Sequence, residues 1–176
     1  MILLGLAARV VLAIVFLASA SSKLRTRSAF ADFRTSLIAM LGLTHPRKRQ
    51  LVAVMVVLLE VLVAAFMIVP QQMVFRLGCL SASFLLLAFS LVLARTLRTG
   101  LQVACHCFGA SSTAIVSSHD IARNLLLAAF ALAVGVIAPA PAIPTALATL
   151  PVGTAAVLAA WAAIHLDDIT WLGGLE

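Results

Sequence analysis

Two cysteines on either side of a histidine form the motif best suited to chemistry in this 176-residue chain. Cys105, His106 and Cys107 are followed by Phe-Gly and lie in the only long polar stretch, residues 99–120. A disulfide across one residue closes a small, strained ring, and strained disulfides are the easily reduced, catalytic kind. A protonated His106 would stabilise a neighbouring thiolate. The motif favours thiol–disulfide exchange, with Cys105 and Cys107 as the exchanging pair and His106 tuning them.

Two other interpretations of the motif stay open. Two thiolates and an imidazole also make a partial site for Cu(I) or Zn, so Cys105, His106 and Cys107 are the ligands of an alternative membrane metal-binding or metal-transport protein. In the third interpretation the chain is a non-catalytic scaffold subunit and these cysteines are incidental. The remaining cysteine, Cys79, lies in an apolar run, where a free cysteine usually has a packing role.

Charged residues inside apolar runs are the second group of candidates. Glu60 lies near the middle of its run, and a carboxylate at that depth of a bilayer is costly and marks a functional hypothesis. Counting helix rise places Arg9 at a similar depth, so we predict an Arg9–Glu60 interaction that shapes the bundle interior. Arg123 and Asn124 open another run beside the cysteine motif. Arg123 could stabilise a thiolate, hold a quinone oxygen or anchor at the interface, whereas Lys23 is expected to extend toward the lipid headgroups.

The composition predicts that membrane helices position these residues. Hydrophobic residues make up 64% of the chain and charged residues 10%, whereas a soluble domain carries about a quarter charged residues. This excludes a disordered chain and argues against an ordinary soluble enzyme. The net charge of +6 would suggest nucleic acid in a soluble protein, but here the basic residues flank apolar runs and are expected at lipid headgroups.

Long apolar runs without alternation favour an all-α membrane protein, an antiparallel helical bundle forming one domain over residues 1–176. Four spans and a further fifth are predicted, over residues 2–20, 51–69, 73–94, 121–138 and 145–166.

One segment after the first span is amphipathic rather than apolar throughout. Residues 28–43 place apolar side chains at helical spacing and polar ones on the other side, which predicts an interfacial helix. Ser28 is expected to cap its start and Gly42 its end, and the basic stretch from His45 is expected to terminate it.

Span parity places this interfacial helix and the Cys-His-Cys loop, residues 99–120, on the same face of the membrane. That face also holds ten of the twelve Lys and Arg residues. The positive-inside rule therefore predicts that the loop faces the cytoplasm.

Four features in fixed order are typical of one family of membrane proteins. They are Ser22-Lys23-Leu24 at the end of the first span, the lone Glu60 in the second, Cys-x-Cys-Phe-Gly from Cys105 to Gly109, and Arg-Asn-Leu-Leu-Leu from Arg123 to Leu127. Over roughly residues 1–138 the chain resembles the MauE (methylamine utilisation) family within the DoxX-like membrane redox proteins. His106 stands where that family more often has Gly, which leaves its cysteine chemistry intact.

The resemblance implies a protein of the bacterial cytoplasmic (inner) membrane that acts in disulfide formation or electron transfer, with a thioredoxin-like or disulfide-containing protein partner. The bundle also resembles vitamin K epoxide reductase and the disulfide-generating membrane proteins, which implies a quinone as a candidate electron acceptor. No nucleic-acid partner is expected. Because disulfides are made outside the cytoplasm, the resemblance places the cysteines on the outer face, against the charge count, and both orientations stay open.

Overall fold

The computed structural model describes residues 2–42, 45–101 and 116–137, together with residues 154, 155, 157, 158 and 160. These residues form five main helices and no strand, which confirms the all-α prediction. The helices are α1 (Ile2–Leu24), α2 (Arg27–Leu41), α3 (Pro46–Ile68), α4 (Gln72–Arg98) and α5 (Ser118–Ile137).

Four of these helices are long and apolar enough to cross a bilayer: α1 from Gly5 onward, α3, α4 and α5. They coincide with the first four predicted spans, so the chain is a multi-pass membrane protein. The predicted fifth span, residues 145–166, falls largely outside the described residues. Its described positions are helical, and Ala160 packs on α1 against Val11 and Val15.

The four spanning helices are antiparallel to their neighbours. Arg9 of α1 contacts the end of α3 at Met67, whereas Ser19 contacts Glu60, so α1 and α3 run in opposite directions. A short turn joins α3 to α4, α4 packs along α5, and α5 returns to α1. One side of the bundle therefore holds the ends of α1 and α4 and the starts of α3 and α5. We call this side the loop face. The α3–α4 turn, at Pro70, lies on the opposite side, the turn face.

Small residues allow α4 to lie close to both of its neighbours. A Cβ added to Gly78 would lie 2.9 Å from the Cβ of Phe66 in α3, and one added to Gly135 of α5 would lie 2.7 Å from the Cβ of Cys79. Both separations are shorter than packed side chains tolerate. The two glycines thus bring the backbones together around a core that includes Phe75 and Leu86.

The interfacial helix α2 lies across the loop-face half of the bundle and contacts α1, α3 and α4. Its apolar side, with Phe33 and Leu37, packs against Ala53 and Val57 of α3. An amphipathic helix can therefore bury one side in the bundle and leave the other at the membrane surface.

The ends of α2 confirm one predicted cap and correct another. Gly42 ends the helix with φ 64°, a conformation that suits glycine. The start is capped by Thr26 and not by the predicted Ser28, because the Thr26 side chain accepts a hydrogen bond from the Ala29 backbone N–H. The basic stretch after His45 does not terminate α2 but begins α3, since proline suits the first turn of a helix.

Candidate functional site

The predicted reactive residues Cys105, His106 and Cys107 lie outside the described residues, in the connection from α4 to α5. The described residues at the end of that connection are fixed on the loop face. Val116 is buried in a cluster with Met40 of α2 and Leu93 of α4. The interfacial helix and the end of the cysteine-bearing connection therefore share one apolar cluster on α4.

A capping box holds the start of α5 just after this connection. The Ser117 backbone N–H donates to Asp120 Oδ2 at 3.0 Å, and the Asp120 N–H donates to Ser117 Oγ at 3.4 Å. The box thus forms with Asp in place of the usual Glu or Gln. The other carboxylate oxygen, Oδ1, accepts from Arg123 Nη2 at 3.1 Å, and both side chains are buried. Arg123 is therefore held against Asp120 in the first turns of α5.

Asn124 is fully buried one residue further along α5. Neither its Oδ1 nor its Nδ2 has a hydrogen-bond partner among the residues that the structure describes. A buried amide is normally satisfied, so this side chain is a candidate contact for a group outside the described set.

A buried ion pair joins α1 to α3 in the bundle interior. Lys23 Nζ lies 2.7 Å from Glu60 Oε1 and 3.0 Å from Oε2, and the two residues are 2% and 0% exposed. Ser19 Oγ donates to Glu60 Oε1 at 2.9 Å, and Lys23 Nζ also lies 2.6 Å from that hydroxyl. The carboxylate is therefore charge-paired and hydrogen-bonded, as a charge buried at this depth must be.

Lys23 reaches this depth because helical side chains lean toward the N-terminus of their helix. Its ammonium extends back one turn of α1 and contacts Ser19, whose backbone carbonyl lies 3.3 Å away. The expectation that Lys23 extends toward the headgroups is therefore wrong. A carboxylate inside the bundle attracts the ammonium inward more strongly than the interface attracts it outward.

The predicted Arg9–Glu60 interaction is also wrong. Arg9 Nη1 donates to the backbone carbonyls of Met67 at 3.1 Å and Val69 at 2.7 Å, and the guanidinium lies 4.6 Å from the centre of the Phe75 ring. Arg9 thus binds the carbonyl end of α3, where a helix favours positive charge. Arg9 and Glu60 lie at different depths because α1 begins well beyond the end of α3, so equal counts from helix ends do not give equal depths.

The aromatic ring of Phe33 closes the ion pair on the side of α2. Lys23 Nζ lies 5.0 Å from the centre of this ring, within the range of a cation–π contact. Phe33 itself is buried. The interfacial helix therefore covers the Lys23–Glu60 pair and also belongs to the apolar cluster that buries Val116 at the end of the cysteine-bearing connection.

The cluster of Ser19, Lys23 and Glu60 can hold a proton within the bundle. It has a carboxylate, a hydroxyl and an ammonium in mutual contact and away from water. Sequence reasoning identified Glu60 but missed Ser19 and Phe33. The available signal was the spacing of Ser19 and Lys23, four residues apart and so on one face of α1.

Cys79 has the packing role that its position predicted. It is fully buried in the core and forms no disulfide. Within the described ranges no three His, Cys, Asp or Glu side chains are placed to hold a metal. The alternative ligands Cys105, His106 and Cys107 fall outside those ranges.

The fold and the site define a multi-pass helical membrane protein with a buried ion pair beneath an interfacial helix. The sequence model of one family, described as methylamine utilisation protein MauE, matches residues 1–138. The chain therefore belongs to the MauE family, and the match covers all four spanning helices. No curated protein and no solved structure matches the chain in the same comparisons.

Proposed function

We propose that the protein is a membrane thiol–disulfide oxidoreductase, or the redox-maturation partner of one, that exchanges electrons through Cys105 and Cys107. Family membership supports a membrane protein of methylamine utilisation, and the Cys-His-Cys motif supports the chemistry. The observation that carries the proposal is the placement of the motif. It lies in the connection between α4 and α5, whose end is held on the loop face by Met40 and Leu93 around Val116.

The exchange follows ordinary disulfide chemistry. One cysteine thiolate attacks a sulfur of a partner disulfide, the partner S–S bond breaks, and the leaving thiolate takes up a proton. The second cysteine then attacks the mixed disulfide, releasing the reduced partner and leaving a Cys105–Cys107 disulfide. His106 stabilises the attacking thiolate, and running the steps in reverse oxidises a partner dithiol.

The partner class that fits this chemistry is a thioredoxin-like or other disulfide-containing protein. Net oxidation of partners also needs an acceptor for two electrons and two protons, and a lipid-soluble quinone is the class we propose. Ser19, Lys23 and Glu60 contribute a proton-holding cluster in the bundle. The protein is proposed to act in a bacterial inner membrane.

Trapping of a mixed disulfide tests the proposal. The purified full chain carrying Cys107→Ser or Cys105→Ser is mixed with a thioredoxin whose resolving cysteine is serine and whose attacking cysteine is activated as a mixed disulfide with a small aromatic thiol. The reaction is quenched with acid, and intact masses are read. We expect a covalent adduct with one single variant, because the small aromatic thiol leaves and neither protein keeps a second cysteine that could resolve the mixed disulfide. Cys79→Ser is the matched control and should behave like the unchanged chain.

Two results contradict the proposal. The first is the absence of an adduct with either single variant under conditions in which thioredoxin reacts with a small dithiol. The second is tight zinc or copper in the purified chain that is lost on the double change Cys105→Ser/Cys107→Ser, since this result favours metal binding.

A further inference from the structure

An apolar pocket lies between α2 and the pair α3–α4, in the loop-face half of the bundle. Its volume is about 130 Å³. A cavity of roughly 150 Å³ in a protein core holds one benzene ring, so this pocket has room for a single six-membered ring. Phe33 and Phe89 line it, and Ser36 is the one polar residue among the lining residues that the structure describes. The pocket therefore suits an uncharged, flat ring.

Two walls of the pocket are membrane-spanning helices. Val52 and Val56 belong to α3, and Ala88 and Val92 belong to α4. A ligand of this pocket therefore reaches it from the bilayer and has to be soluble in lipid. A cofactor that carries phosphates would have to bury its charges against apolar walls, which is costly. The ligand class is therefore a neutral ring compound that partitions into membranes.

The pocket adjoins the end of the cysteine-bearing connection. Met40 of α2 and Leu93 of α4 line the pocket, and both belong to the apolar cluster that buries Val116. Val116 lies just before the start of α5 at Ser118. The pocket is thus next to the point at which the cysteine-bearing connection enters the bundle.

Phe33 links the pocket to the buried ion pair. Its side chain lines the pocket, and the centre of its ring lies 5.0 Å from Lys23 Nζ. Lys23 is in turn paired with Glu60 at 2.7 Å. One side chain therefore separates the pocket from a cluster that can hold a proton. A ligand that takes up both electrons and protons has the two kinds of group it needs on adjacent sides of this pocket.

We propose that the pocket binds the ring of a lipid-soluble quinone, which accepts the electrons that Cys105 and Cys107 release. This inference rests on the proposed function for the source of those electrons. In the net reaction the two thiols lose their S–H bonds and form one S–S bond. The quinone takes up the two electrons and the two protons and leaves as a hydroquinone.

Photolabelling tests the site without any thiol chemistry. The full chain carrying Cys105→Ser/Cys107→Ser is reconstituted in phosphatidylcholine vesicles with a photoreactive benzoquinone that has a decyl tail, and labelled peptides are identified by mass spectrometry. We expect label on the peptides of α2 and α4 that contain Met40 and Leu93. An excess of the unreactive decyl benzoquinone should remove this label, whereas decanol, which has the same tail and no ring, should not.

Matched variants test whether the pocket itself holds the ring. Ala88→Trp fills the pocket and should reduce the competed label about tenfold, because the indole takes the space of the ligand ring. Leu91→Trp adds the same side chain to the same helix at a residue 73% exposed and should leave the label unchanged. Thermal unfolding checks that each variant is folded. If the Trp variant is not folded, the smaller filler Ala88→Leu decides.

Three results would overturn the proposal. They are label that the unreactive quinone does not reduce, label that decanol reduces equally, which would assign the pocket to an acyl chain, and label that Ala88→Trp leaves unchanged. Because the labelled chain lacks both cysteines of the motif, none of these results bears on the trapping of a mixed disulfide. Conversely, competed label on α2 and α4 without any trapped adduct would support the quinone pocket and contradict the proposed source of its electrons.

Discussion

At the scale of single residues, the main feature is how a carboxylate is accommodated inside a membrane bundle. Glu60 accepts hydrogen bonds from Lys23 and Ser19, and Phe33 covers the ammonium. Removing one member of such a pair leaves an uncompensated charge away from water, whereas removing both leaves an apolar gap. The contacts therefore stabilise the folded bundle as a unit.

Lys23→Met should lower the free energy of unfolding by about 3 kcal/mol, because it leaves Glu60 buried without its charge partner. Unfolding of the chain in mixed detergent micelles measures the change. Arg25→Met is the control at an exposed position and should have little effect. The double change Lys23→Met/Glu60→Leu should recover much of the loss. A single change as mild as the control would contradict a paired Glu60.

Arg9 and Glu60 should behave as independent sites. Arg9→Met removes the contacts with Met67 and Val69, so it should lower the free energy of unfolding. The loss in the double variant Arg9→Met/Glu60→Gln should equal the sum of the two single losses to within about 0.5 kcal/mol. The corresponding cycle between Lys23 and Glu60 should show coupling above about 1 kcal/mol. Coupling above about 1 kcal/mol between Arg9 and Glu60 would contradict their independence and indicate that the two side chains interact.

The sequence alone located Glu60 inside an apolar run but did not identify its partner. Depth was counted from the ends of apolar runs, and those counts do not show how far one helix extends beyond another. The stagger of α1 against α3 is set by packing between helices distant in sequence. The i, i+4 spacing of Ser19 and Lys23 predicts that both side chains lie on one face of α1. The spacing does not show that this face packs against Glu60 of α3.

At the scale of helices, α2 connects the features that bear on function. It packs on α3, covers Lys23 with Phe33 and shares an apolar cluster with Val116 at the end of the cysteine-bearing connection. A short amphipathic helix of this kind is stabilised by its docked face more than by its own propensity. Its contacts therefore decide how well the ion pair is shielded.

Phe33→Ala should make the Lys23 amine more reactive toward a small amine-modifying reagent, because it removes the ring over the ammonium. Peptide mass spectrometry after brief labelling measures the reaction at Lys23. Phe30→Ala removes a ring of the same helix that is only partly buried and should leave Lys23 protected. Equal labelling in both variants would mean that α2 does not shield the pair.

Gly135→Leu should destabilise the bundle by about 2 kcal/mol, because its Cβ would overlap Cys79 of α4 and force the helices apart. The same unfolding measurement reports the loss. Val136→Leu changes the adjacent residue, which is exposed, and should be nearly neutral. Similar effects for the two variants would argue against close α4–α5 packing.

The helices themselves were largely predictable, and their ends were less so. Apolar length located four spans, and periodicity located α2, because both signals are local in sequence. The start of α2 was misplaced since Thr26 and Ser28 are both good caps, and only backbone geometry selects between them. The basic stretch from His45 begins α3 instead of ending α2, because Pro46 suits the first turn of a helix.

For the whole molecule, the loop face gathers the features that the proposed chemistry needs. The connection that carries Cys105 and Cys107 leaves α4 and enters α5 there, and α2 lies over the same end of the bundle. The buried ion pair of Lys23 and Glu60 joins the spanning helices α1 and α3, and Phe33 of α2 covers it. This arrangement suits exchange of electrons with a partner that docks at the bilayer surface.

Thiol labelling in intact membranes tests the central claim most directly. A maleimide that cannot cross the bilayer is applied before and after reduction, to the unchanged chain and to Cys79→Ser, and intact masses are compared. We predict that Cys105 and Cys107 take up label only after reduction, that Cys79→Ser gives the same gain, and that the reactive side of the membrane gives the orientation. Label on both cysteines without reduction, or none on either after reduction in opened membranes, would contradict a redox-active pair.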